Sequence, residues 1–236
     1  MIHQIAANFS RAAHCAARFI LAGCFALGLS GECMAAAGAT INSQLLEAAA
    51  RGDAPRIGAL LSEGVDLEAR DRSGRTALLL ATHGDHVEVA RLLIAAGADV
   101  NATDAISDTP YLYAGAEGRN EILKMTLAAG ADLTSTNRYG GVALIPAAHH
   151  GHPETVKILL GTAININHIN RLGWTALIEA VILGDGGPVH TEIVRLLVDA
   201  GADVNIPDRE GVTPLAHARS RGYTQMVAIL EKAGAK

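Results

Sequence analysis

Ser43, Thr76, Thr109, Val142 and Thr175 stand 33 residues apart, each ahead of an apolar helical pattern, and Thr213 follows after 38. A period of this length constrains the fold more than any other feature of the chain. Each unit is too small to bury its own apolar face, so successive units must stack and share a core. The interior of each unit can be read in physical terms. Asp71, Asp104, Asn137, Asn170 and Asp208 open a tight turn, usually with a glycine three residues on (Gly74, Gly140, Gly173, Gly211). Thr76, Thr109, Thr175 and Thr213 then stand where a hydroxyl accepts the first free N–H groups of a helix, with Pro110 and Pro214 at its first position. A second helix begins with an acid near its positive end (Glu88, Glu121, Glu154, Glu192). Its expected buried stripe is Val89, Leu92 and Leu93 in one unit and Ile193, Leu196 and Leu197 in another. Gly64, Gly97, Gly130, Gly201 and Gly234 are placed to end it in the left-handed conformation.

The recurring strings "GWTALIEA", "GVTPLAHA" and "AAGADVNA" resemble the ankyrin repeat, from about residue 40 to the end. The resemblance implies an all-α solenoid of about six helix–turn–helix repeats with projecting β-turn fingers. The repeats would fall near 41–70, 71–103, 104–136, 137–169, 170–207 and 208–236, within a domain spanning 38–236. It also implies a concave face lined by the fingers and first helices, with the end repeats as caps. Some positions depart from the family pattern. The histidine often found three residues after the threonine is replaced by Leu46, Leu79, Leu112, Ile145, Ile178 and Ala216. Val142 lacks a capping oxygen, at a cost of about 1 kcal/mol. Pro146 falls early in the same helix, and Ala163 replaces a helix-ending glycine. The fourth repeat is therefore the least regular, which we read as drift compensated by its neighbours.

The five extra residues before Thr213 fall at "GDGGP", giving an insertion of Gly184, Asp185, Gly186, Gly187 and Pro188, followed by His190. A phosphate cradle would need a preceding strand and a lysine or hydroxyl after the glycines. Here a helical pattern precedes, no G-K-[ST] follows, and Asp185 has the wrong sign. The stretch reads as an elongated turn between two helices, with Asp185 and His190 available for a partner contact.

The first 37 residues read as a secretory signal. Arg11 and Arg18 precede and flank an apolar run from Phe19 to Leu29, and Ala35–Ala37 offer a small-residue cleavage site. That run is too short to span a bilayer, which needs about 20 residues. "LAGC" resembles a lipoprotein box, so a lipid anchor at Cys24 on an envelope scaffold is the alternative. Cys15, Cys24 and Cys33 are the only cysteines, leaving the remainder without thiol chemistry and suited to an oxidising space. The leader and the cysteine-free remainder place the protein in the periplasm or outside the cell. The net charge of −5 becomes −6 without Arg11, Arg18 and Glu32, which argues against nucleic acid as a partner.

No catalytic motif is present and no cofactor is expected. His149, His150 and His152 form the only dense histidine cluster. His86, His152 and His190 fall at the usual inter-helix turn position, so a structural role explains them and no metal site is assigned. An enzyme would need convergent titratable groups, for which His149, His150, Asp185 and His190 are the nearest candidates. The resemblance instead maps partner contacts onto Arg72, Arg75, Ile106, Arg138, Tyr139, His149, His150, Arg171, Leu172, Trp174, Arg209 and Arg221. With Arg51 this face carries seven arginines against Asp108, Glu117 and Glu210. That balance points to a protein partner with an acidic surface, docked around Tyr139 and Trp174. The expected role is an accessory, inhibitor or immunity-type partner of another protein.

Overall fold

The computed structural model describes the backbone of residues 30–236, with side chains from residue 40 onward. The Phe19–Leu29 run, Cys15, Cys24 and most of the 1–37 leader lie outside the described residues. The described elements are helices: α1 (Ser30–Arg51), α2 (Ala54–Ser62), α3 (Ala77–His83), α4 (Val87–Ala95), α5 (Pro110–Ala116) and α6 (Asn120–Ala128). They continue with α7 (Leu144–His149), α8 (Pro153–Leu160), α9 (Ala176–Ile182), α10 (Pro188–Asp199), α11 (Pro214–Ser220) and α12 (Thr224–Lys232). The chain divides after Asn42 into two units. The described part of the first, residues 30–42, is helical, and the second holds the repeats.

In the second unit two layers form by repetition. First helices α3, α5, α7, α9 and α11 pack in sequence, and second helices α2, α4, α6, α8, α10 and α12 pack in a parallel row. The threonine caps are in place: Thr76, Thr109, Thr175 and Thr213 accept from the N–H groups of Leu79, Leu112, Ile178 and Ala216. The small core is buried to completion at Leu79, Ala90, Leu93, Leu123, Leu144 and Ile178. Leu92 and Leu196, expected in the buried stripe, are only half-buried, and Ala90 and Val194 take the inward positions instead. Ser43 differs from its series, lying inside α1 rather than ahead of a helix. No turn-opening Asp precedes it, and Ala35–Ala37 and Ala39 are strong helix formers, so the helix runs through. Thr175→Val, which removes only the capping oxygen from a buried site, should lower stability by about 1 kcal/mol, read as a lower urea midpoint at unchanged slope.

Repeat four is short at both ends, as its sequence suggests. With Val142 in place of threonine, α7 starts one residue late and has no side-chain cap. Ala163 does not take the left-handed conformation that Gly97 and Gly130 adopt. Instead α8 ends at Leu160 with Gly161 in right-handed geometry, and the Thr162 hydroxyl donates to Leu159 O at 2.6 Å.

The insertion is an elongated turn, as expected, and it also lengthens the following helix: α10 has 12 residues where α4 has 9. Asp185 accepts from the Gly187 N–H at 2.8 Å, which closes the turn. Gly186 is required at φ +71°, because a Cβ there would meet the Tyr223 ring at 2.3 Å. The Tyr223 hydroxyl donates to Gly184 O at 3.1 Å and ties the insertion to the next repeat. His190 donates from Nε2 to His149 O at 3.0 Å, and its Nδ1 lies 3.4 Å from Asp185. It is therefore a stitch between repeats, as is His86, which donates to Ala50 O at 3.2 Å. In repeat four His150 rather than His152 does this work, donating to Ala116 O at 2.7 Å.

Candidate protein-docking face

Each finger is built by one side chain. Asp71 accepts from the N–H groups of Ser73 and Arg75, and Asp104 from those of Ile106 and Asp108. Asn137 does the same for Tyr139 and Gly141, Asn170 for Leu172 and Trp174, and Asp208 for Glu210 and Val212. This is why the turn-opening residue is always Asp or Asn: a short side chain with an acceptor oxygen can reach its own backbone two and four residues on. Ser107 stands where the other fingers have glycine and takes the left-handed conformation at φ 67°. Adjacent fingers bond to each other through Ala105 N–H to Ser73 O and Arg171 N–H to Tyr139 O.

That geometry sets a row of apolar tips. Ile106, Tyr139 and Leu172 occupy the same position in three consecutive fingers and are 46%, 51% and 45% exposed. The equivalent residues of the outer fingers are Ser73 and Glu210, so the apolar row is confined to the middle of the array.

Below the tips lies a groove of about 510 Å³ spanning the fingers and first helices of repeats three to five. Among its lining residues are Asp108, Tyr113, Glu117, Pro146, Glu179 and Leu183. Six of the residues expected from sequence line it too: Arg138, Tyr139, His149, His150, Leu172 and Trp174. Arg72, Arg75, Ile106, Arg171, Arg209 and Arg221 lie outside it. The irregular fourth repeat sits at its centre. Four residues after the threonine position the successive side chains are Leu80, Tyr113, Pro146, Glu179 and His217. The compact Pro146 leaves open the floor between Tyr113 and Glu179. The irregularity read as drift thus coincides with the groove.

The arginines are not equivalent. Arg75 pairs with Asp71 at 2.7 Å. Arg138 reaches Asp108 at 4.0 Å and stacks over the Tyr139 ring at 4.8 Å. Arg171 donates to Arg138 O at 3.1 Å and Arg209 to Arg171 O, so each fastens its finger to the one before. Those bonds hold the guanidiniums in place while leaving their charge uncompensated. Arg72 is exposed, and the Arg221 guanidinium reaches the His217 ring at Nδ1, 3.4 Å away, with no carboxylate paired to it among the described residues. The uncompensated positive charge of this face therefore reduces to Arg72, Arg171, Arg209 and Arg221.

Glu179 is the residue that sequence reasoning missed. It is 6% exposed, on the inward face of α9, and its Oε1 accepts from Asn170 Nδ2 at 2.8 Å. Burial pushes its carboxyl up to about 7, against the downward pull of the Asn170 bond. Asp108 is also held above the usual carboxylate range, by burial and by Asp104 beside it, with Arg138 acting in the other direction. Burial, then His150 and His190, hold His149 below the ordinary imidazole value. His149 Nδ1 lies 3.7 Å from Glu179 Oε2, but a neutral imidazole beside a half-protonated acid does not make an ion pair near neutral pH. The groove's buried carboxyl without a charged partner is thus Glu179. Asp185 and His190, the other half of the sequence-derived candidate cluster, lie 3.4 Å apart in the insertion turn and do not line the groove. The available signal for Glu179 was one charge inside the apolar helix "ALIEAVI".

Among the described residues no group of three or more His, Cys, Asp or Glu side chains is placed to hold a metal ion. Nor is any of their helices long and apolar enough to cross a membrane.

Comparison with known proteins agrees with this architecture. The family described as "Ankyrin repeats (3 copies)" matches at residues 45–137, 111–208 and 144–236. An ankyrin repeat domain from Acinetobacter baumannii AYE is 55% identical, with a TM-score of 0.79, covering 81% of this chain and 98% of that one. The ankyrin-repeat domain of Bcl-3, a member of the IkappaB family, is 29% identical at a TM-score of 0.74, covering 82% of this chain and 86% of that one. The putative ankyrin repeat protein YahD of Escherichia coli K12 is 44% identical over 57 residues, 24% of this chain and 28% of that protein. The chain belongs to the ankyrin-repeat family, whose stacked helix pairs serve as protein–protein interaction modules.

Proposed function

We propose that this protein works by docking another protein on its finger tips and groove, as an accessory, inhibitor or immunity-type subunit in the periplasm or outside the cell. The observation that carries the reading is the row of Ile106, Tyr139 and Leu172. Three large apolar side chains on consecutive fingers lose water-exposed surface when covered, and Tyr139 among them, with Trp174 in the groove, belongs to the residue types that dominate interface energetics. Arg72, Arg171, Arg209 and Arg221 edge this row with uncompensated positive charge, which favours acidic residues at the rim of the partner's contact surface. The compartment rests on the leader-like segment and on the absence of cysteine beyond residue 33.

The reading is tested by photo-crosslinking in the native cell envelope. A benzophenone side chain replaces Tyr139 in one protein and Arg195, on second helix α10, in another. An adduct is expected from position 139 and not from 195, and Ile106→Ala with Leu172→Ala should remove most of it. Adducts from position 195 alone, or a 139 adduct indifferent to the two alanines, would move the interface off this face.

A further inference from the structure

Glu179 is costly where it stands. Its side chain is more than nine-tenths buried in the lining of the groove, one oxygen is bonded to Asn170, and Oε2 makes no hydrogen bond, with His149 Nδ1 lying 3.7 Å away. Glutamine would fill the same space, keep the Asn170 bond and carry no charge to bury. An acid in such a place is explained by something that arrives with the opposite charge. The walls narrow the choice of visitor. Tyr139, Leu172 and Trp174 offer flat and apolar surfaces, and Arg138 already lies over the Tyr139 ring at 4.8 Å. A planar guanidinium can lie against such rings while donating to a carboxylate, whereas an ammonium is a compact, strongly hydrated charge.

We propose that the groove seats an arginine side chain of the partner protein, its guanidinium donating to Glu179 Oε2 and its stem lying along Trp174 and Leu172. This rests on the docking function proposed above and specifies its anchor. The partner then presents a basic residue at the centre of its contact surface and acidic residues around it, matching an acidic groove edged by Arg72, Arg171 and Arg209. The anchor binds when Glu179 is ionised, so docking strengthens as pH rises through neutrality. Other titratable and charged groups line the groove around Glu179. His149 and His150 come from α7, and Asp108 and Arg138 from the fingers. His217 on α11 is already tied to Asp208 at 2.6 Å.

Trp174 is the only tryptophan of the chain, so its emission reports on the groove alone. The full chain is titrated with acetyl-Gly-Arg-Gly-amide and with the uncharged citrulline counterpart, up to about 10 mM, following Trp174 emission and, in parallel, calorimetric heat. The arginine peptide should bind saturably near pH 8 and about tenfold more weakly near pH 6, as the ionised fraction of Glu179 falls. The citrulline peptide should bind at least about tenfold more weakly near pH 8, and Glu179→Gln should lose both the affinity and the pH dependence. Circular dichroism checks that the variant remains folded.

Equal binding of the two peptides, no saturable signal by either readout, or a pH dependence that survives in Glu179→Gln would overturn the assignment. If these occur while the Tyr139 cross-link persists, the docking face stands and only its arginine anchor fails.

Discussion

Glu179→Gln is expected to stabilise the fold by roughly 3 kcal/mol above neutral pH and to change it little near pH 4. The sign follows from where the proton resides. The folded-state value of about 7 lies above the ordinary 4.5, so between those values the folded chain holds a proton that the unfolded chain has released. Stability therefore falls as pH rises through that window, and the full penalty is in place above it. Glutamine removes the penalty and keeps an oxygen to accept from Asn170 Nδ2. Urea unfolding of both proteins near pH 4, 6 and 8 measures this, with midpoints expected to coincide at the acid end and diverge at the alkaline end. Parallel midpoints at all three would mean that Glu179 reaches solvent or a counter-charge in the folded chain. A positive result would have a functional consequence, because a residue that weakens the fold at neutral pH is retained for what it does when the groove is filled.

Leu123→Ala should cost roughly 3 kcal/mol, the usual range for a fully buried leucine whose surroundings cannot collapse. Leu123 is 0% exposed on α6, in the row of second helices between α4 and α8. The cavity would open at the interfaces on which a stacked array depends, so neighbouring repeats should also uncouple and the urea transition should broaden. The same loosening would shift the fingers at 104–108 and 137–141, which carry two of the three apolar tips. A loss below about 1 kcal/mol would show that the alanine-rich layers close over the gap, since the cost depends on how far a site can relax.

What could be read from the sequence differs between fold and site. The 33-residue period, the Asp and Asn openers, the threonine caps and the helix-ending glycines specify the repeat architecture, because each acts on its own backbone within a few residues. Thr175 caps Ile178, and Asp208 bonds Glu210 and Val212, with no help from distant parts of the chain. The apolar tips were legible for the same reason, since Ile106, Tyr139 and Leu172 follow from their place in the turn. What remained hidden depends on juxtaposition. No local rule shows that Arg75 and Arg138 are already compensated, that Arg171 and Arg209 fasten neighbouring fingers, or that His190 is held by His149 O. The tightness of the insertion against Tyr223 is equally a contact across 37 residues.

The sequence by itself determined the repeat, its two helical layers and the line of finger tips, because helix capping and Asx turns are short-range interactions that each unit repeats. Only the stacking of repeats three to five decided that Pro146 would leave a floor open, that Trp174 would wall it, and that Glu179 would lie buried there with an unfilled oxygen. Desolvation acts on a carboxyl through everything packed around it, and that environment comes from chain segments as distant as Asp108 and Leu183.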